Sequence, residues 1–100
     1  MAEAEIKQRE TTKIRIKEPS KYKVLVLNDD YTPMDFVVAM FMEIFKHNQD
    51  AAIGLTVKIH NEGSAVAGIY THEVAEQKGI DATSLARECG HPLQIKVEAE

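Results

Sequence analysis

The chain has 100 residues, 44% hydrophobic and 28% charged, with a formal net charge of −4 at pH 7; this suits one soluble domain with a single core. Its longest uninterrupted apolar run, residues 36–42, is far shorter than a membrane-spanning helix, and the charged start MAEAEIKQRE holds no apolar signal-peptide stretch. One cysteine, Cys89, excludes an internal disulfide and points to the reducing cytoplasm, while the negative balance argues against a nucleic-acid partner.

The first 21 residues hold six basic side chains (Lys7, Arg9, Lys13, Arg15, Lys17, Lys21) and four acidic ones (Glu3, Glu5, Glu10, Glu18). Their few large apolar residues do not recur at helical spacing, and Pro19-Ser20 closes the segment. They predict a flexible N-terminal extension, with a short edge strand over 12–17 as the alternative, preceding a core domain over 22–100.

Residues 22–27 (YKVLVL) read as a strand whose continuous apolar run suits a central position. A helix-start signal follows: Thr32 as N-cap, Pro33 at the first helical position and Asp35 three residues after the cap. Met34, Val37, Val38, Phe41, Ile44 and Phe45 then form one apolar stripe, so a helix begins here. Asp50 can cap another helix. The next stretch is ambiguous, because Leu55, Val57 and Ile59 alternate like a strand whereas Ala52, Leu55 and Ile59 share a helix face.

A strand is expected over 65–70. Thr71 then caps a helix carrying Val74, Ala75, Ala82, Leu85, Ala86 and Cys89, with Cys89 expected in the core. Gly79 inside it costs ~1 kcal/mol relative to Ala, and Asp81 could start a second helix there. Gly90-His91-Pro92 ends the segment, and 93–97 alternates as a last strand. The order implies an α+β fold, with helices packed on one face of a small, largely antiparallel sheet.

Between the first strand and first helix stand Asn28, Asp29 and Asp30. One such side chain makes an Asx-turn and favours a helix N-terminus electrostatically. Three in a row exceed what a turn needs and suggest a place for something positively charged. His60 is the second candidate, while His47, His72 and His91 read as ordinary helix-end or turn residues. Met34, Val37 and Ile59 are simplest as core, yet could wall an apolar pocket beside the polar cluster. Asp29, Asp30 and His60 could hold a metal ion, but no spacing such as His-x-x-x-His supports it, and no activated nucleophile for hydrolysis is apparent.

Four blocks, KYKVLVLNDDYTPMDFV, the histidine in IHNEG, AGIYTHEVAEQK and ARECGHPLQIKVE, resemble the ClpS adaptor family in the expected order over residues 22–97. The resemblance implies a non-enzymatic, cofactor-free and monomeric adaptor. Such adaptors bind proteins whose first residue is Leu, Phe, Tyr or Trp and deliver them to an AAA+ unfoldase such as ClpA for degradation by ClpP. It implies three antiparallel strands and three helices, similar to the C-terminal domain of the ribosomal stalk protein, with 51–60 helical and one continuous helix over 72–88.

Carried onto this sequence, Asn28, Asp29 and His60 would hold the substrate's α-amino group, and Asp30 and Thr32 would shape the rim and meet the peptide backbone. Met34, Val37, Thr56, Ile59 and Leu93 would line the hydrophobic pocket, with Met34 as a gate against β-branched side chains. Glu73 and Lys78 would dock on the unfoldase's N-terminal domain. The extension would engage the translocation machinery. Thr56 stands where many relatives carry methionine, which suggests a roomier or better hydrated pocket and a shift toward aromatic first residues. The rival readings are a stalk-like protein-binding module and a small Asp/His metal-dependent hydrolase.

Overall fold

The computed structural model describes residues 20–100. The predicted extension and its alternative strand therefore lie outside the described residues, except for Ser20 and Lys21, and Lys21 already pairs in the first strand. The order is β1 (Lys21–Leu27), α1 (Met34–Glu43), α2 (Gln49–Glu62), β2 (Ser64–Thr71), α3 (His72–Glu88) and β3 (Gln94–Ala99). β1 lies in the middle of an antiparallel sheet ordered β2-β1-β3, as its apolar run predicts.

Strand alternation gives the sheet two unlike faces. Val24 and Val26 are fully buried beneath the helices, whereas Leu25 and Leu27 are half-buried. Between Val24 and Leu25 the pairing with β2 shifts register. Near this irregularity the Ala67 carbonyl accepts a hydrogen bond from His47 Nε2 at 2.6 Å, so that ring nitrogen carries the proton. His47 looked incidental in the sequence; it ties the chain after α1 to the sheet.

α1 and the residues after it bury Val37, Phe41 and Phe45 of the expected stripe, while Met34 is half exposed and Met40, outside that stripe, is fully buried; the helix start also differs from the expected Thr32 cap. Pro33 is the N-cap, and its carbonyl accepts from the Val37 N–H at 3.3 Å. The Thr32 hydroxyl is engaged by Asp29 instead, and Asp35 Oδ1 accepts only from its neighbour Phe36. At the far end, Lys78 Nζ donates to the Ile44 carbonyl at 2.8 Å, a favourable cation at a helix C-terminus.

Residues 51–60 are helical, which removes the hairpin alternative: Ile59 is 4% exposed and Val57 44%, a helix's division of faces. The cap of α2 is Asn48, not Asp50; its side-chain oxygen accepts from the Ala51 N–H at 2.8 Å. Gly63, at φ 93, closes the helix with its N–H on the Ile59 carbonyl at 2.8 Å.

α3 runs unbroken through Gly79. Its buried stripe is Ala75, Gly79, Ala82 and Ala86, so it lies close on the sheet; a Cβ at Gly79 would stand 3.1 Å from Val97 Cγ2. Cys89, expected in the core, is exposed at the C-cap, because the stripe ends one turn earlier at Ala86. Val74, expected on the same stripe, is 44% exposed. Among the described residues no helix is long and apolar enough to cross a membrane.

Candidate functional site

The polar mouth forms where β1 ends. Asp29 Oδ1 accepts from the backbone N–H groups of Tyr31 and Thr32, both at 2.7 Å, and Oδ2 accepts from the Thr32 hydroxyl at 2.8 Å. The turn expected of this segment therefore exists, and it fixes the carboxylate rather than using up its charge. Partial burial pushes the Asp29 carboxyl's pKa up, but the bonds from Thr32 and Tyr31, with the nearby charge of His91, outweigh this and hold it below the ordinary carboxylate value.

A second tie brings the histidine over. The Asn28 N–H donates to the Gly63 carbonyl at 2.9 Å, joining the end of β1 to the end of α2. His60 sits in the last turn of α2, beside this junction. The left-handed Gly63 is what lets the chain leave the helix and pair as β2 immediately afterwards.

Asn28, Asp29, Thr32 and His60 edge a hollow whose apolar walls are Leu27, Met34, Val37, Thr56, Ile59 and Leu93. Three separated stretches of chain, residues 27–37, residues 56–60 and Leu93, supply this lining. Asp30 is exposed and does not line the hollow. Leu27 was missed in the sequence, where it read only as the last strand residue; its position directly before Asn28 was the available signal. His91 was also passed over, yet its ring meets Phe36 of α1 edge-on, with centroids 4.6 Å apart.

The walls differ in freedom. Val37, Thr56, Ile59 and Leu93 are buried, but Met34 is 48% exposed, and its unbranched thioether has three rotatable bonds. The hollow is narrow, about 20 Å³, roughly what one water needs, and Met34 is the wall with most freedom to move. Thr56 Oγ1 donates to the Ala52 carbonyl at 2.8 Å. Its proton is engaged within the helix, while the oxygen's lone pairs stay open to accept.

A larger groove of about 740 Å³ runs along α3, lined by Thr71, His72, Glu73, Glu76, Gln77 and Ile80. All are exposed side chains of a single surface, without convergent acceptors beside a buried apolar floor. Chemistry, not size, selects the smaller hollow. Glu73 lines this groove, whereas Lys78, half-buried, lies 6.0 Å from the Tyr70 ring centroid and bonds Ile44 as described. Among the described residues no group of three His, Cys, Asp or Glu side chains is placed to hold a metal ion.

Known proteins share this architecture and sequence. The family model of the ATP-dependent Clp protease adaptor protein ClpS matches residues 17–96. The chain belongs to the ClpS family. ClpS proteins are adaptors of a protease rather than enzymes, and the metal-dependent hydrolase and stalk-module readings are set aside accordingly. The chain is 46% identical over 83 residues to the ATP-dependent Clp protease adapter protein ClpS of Helicobacter hepaticus, covering 83% of this chain and 84% of that protein. It is 45% identical over 84 residues to the Burkholderia cenocepacia ClpS, covering 84% and 81%. Agrobacterium tumefaciens ClpS2, solved bound to L-phenylalaninamide, superposes with a TM-score of 0.81 at 38% identity, covering 83% of this chain and all of that one.

Proposed function

We propose that the mouth and hollow together read the first residue of a substrate protein, a bulky Leu, Phe, Tyr or Trp. The observation that carries this reading is their adjacency: Asn28, Asp29 and His60 edge the same hollow that Met34, Val37, Ile59 and Leu93 wall. A free N-terminus differs from an internal residue in its ammonium, which offers three donors. The Asn28 side-chain oxygen, the Asp29 carboxylate and a His60 ring nitrogen would accept them, with Asp30 and Thr32 at the rim. The phenylalaninamide bound by the Agrobacterium neighbour has the matching chemistry, a free amino group beside an aromatic side chain.

Magnitudes explain why both halves are needed. Hydrogen bonds to a charged group contribute ~1.5–3 kcal/mol each, and burying a Leu or Phe side chain adds ~1.5–3 kcal/mol. Association costs at least ~4 kcal/mol, while micromolar affinity corresponds to roughly −8 kcal/mol. Neither the ammonium nor the side chain reaches that alone, so the pair is the specificity.

The bound protein would pass to an AAA+ unfoldase such as ClpA for degradation by ClpP, with Glu73 and Lys78 on α3 docking on its N-terminal domain. Glu73 is exposed for such a contact. Lys78 also bonds α1, so its substitution would cost stability as well as docking. The test of the site is a titration of peptides differing only in their first residue, each beside its N-acetylated twin. Acetylation should weaken binding ~100-fold or more; near-equal affinities for the two forms would overturn the reading.

A further inference from the structure

One wall of the hollow is unlike the rest. Met34, Val37, Thr56 and Ile59 stand on helices, and Leu27 ends a strand, but Leu93 precedes β3 on the loop that follows α3. Leu93 is nonetheless 1% exposed. A loop residue held that firmly needs an external restraint, since loops are ordinarily the more mobile parts of a fold.

The loop's backbone supplies part of it. α3 ends in a Schellman arrangement, with Gly90 at φ 78, the His91 N–H on the Ala86 carbonyl at 2.8 Å and the Gly90 N–H on the Arg87 carbonyl at 3.0 Å. Pro92 then brings no N–H of its own. The carbonyls on either side of it both turn back toward α3, where Arg87 Nη1 donates to His91 O and to Leu93 O, each at 2.8 Å. On its other side the loop is met by α1, through the edge contact of His91 with Phe36.

We infer that Arg87 is a positioning residue for recognition: by holding the Leu93 carbonyl it fixes the depth of the hydrophobic pocket, and so helps to set which first residues fit. The inference rests on the proposed reading of the hollow. Arg87 itself does not line that hollow. Because one nitrogen makes both bonds, a point donor suffices; a lysine ammonium, with three donors, can replace it, whereas an apolar side chain of similar length cannot.

The experiment compares wild type, Arg87→Met and Arg87→Lys in titrations with Phe- and Leu-initiated peptides. Each value is corrected for the folded fraction, and the Leu93 methyl NMR signals are recorded in the peptide-free proteins. Arg87→Met should weaken Phe-initiated binding about 5- to 20-fold, change the Phe-to-Leu affinity ratio and shift or broaden the Leu93 methyls; Arg87→Lys should restore all three. A merely structural arginine would lower the melting temperature without moving the ratio.

If wild type binds but Arg87→Met keeps its affinity, ratio and Leu93 signals, the role of Arg87 is overturned while the reading of the hollow stands. A wild type that ignores the first residue brings down both. Should Arg87→Met not fold, Arg87→Lys and Arg87→Gln carry the test, since glutamine offers a donor but a shorter reach. Equal ratios in the two, with unmoved Leu93 signals, would again refute it.

Discussion

The mouth and the hollow are neighbours built by opposite means. One side of the mouth is local, since Asp29 takes its partners from residues two and three positions ahead, and only His60 has to be brought in from α2. The hollow is assembled from three separated stretches of chain and exists only when the core has formed. The Asp29 carboxylate is thus fixed by its own turn, which would lower the entropic cost of binding there, whereas the apolar half contains an exposed, adaptable Met34. A site made this way should be strict about charge and graded about side-chain shape.

The strongest challenge to that contrast is Asp29→Asn. Asparagine keeps an oxygen for the Tyr31 and Thr32 N–H groups, so the turn should survive while the charge is lost. Affinity for a Phe-initiated peptide should fall ~10- to 100-fold with the melting temperature little changed; a large loss of stability would show that charge and turn are inseparable. Met34→Ala probes the apolar half. It should raise affinity for Ile- and Val-initiated peptides by about tenfold, on the order of the 1–3 kcal/mol that small steric differences in a pocket control. Continued exclusion of both would clear Met34 as a gate.

A smaller effect is expected from acid. Asp29, with its carboxyl held below the ordinary value, remains charged from pH 8 to 5. Its support of the turn is fully present above the unfolded value of ~3.9 and is lost only as pH falls through the lower folded one. A fall in affinity between pH 8 and 5 therefore does not come from Asp29. His60→Asn should flatten the profile, whereas His91→Gln, which removes the other ring near Asp29, should leave it sloping. A flat wild-type profile to pH 5 would show that His60 does not act as an acceptor. Smallest of all, Thr56→Met should move the Phe-to-Leu ratio toward Leu by a few-fold, about 1 kcal/mol, and an unchanged order would dismiss Thr56 as a selector.

The sequence made the acidic side of the mouth legible because its chemistry is contiguous: Asn28-Asp29-Asp30 announces itself, and the apolar run before it marks β1. Met34, Val37 and Ile59 could be read as possible walls beside it, but Thr56 and Leu93 came only through the family resemblance, since nothing in their spacing says that they meet the others. Residues 51–60 were ambiguous because Leu55 and Ile59 fit a strand's alternation with Val57 and a helix face with Ala52, and the packing of Ile59 inward and Val57 outward is a tertiary outcome. Thr32 and Asp50 were misread as caps because another acceptor, or another residue, was better placed: Asp29 engages the Thr32 hydroxyl, and Asn48 captures the Ala51 N–H. Cys89 was misread because a periodic stripe carries no mark of where its helix ends.

The single peptide-to-peptide bond from Asn28 to Gly63 has a further consequence. It sets the spacing between the acid of one segment and the imidazole of another more than thirty positions away. Ile59, beside His60, is held in the core, so adding or deleting one residue between His60 and Gly63 would leave the ring where it is and turn the junction with β1 by roughly 100°, the angular step of a helix. The acid and the imidazole would then no longer edge one hollow.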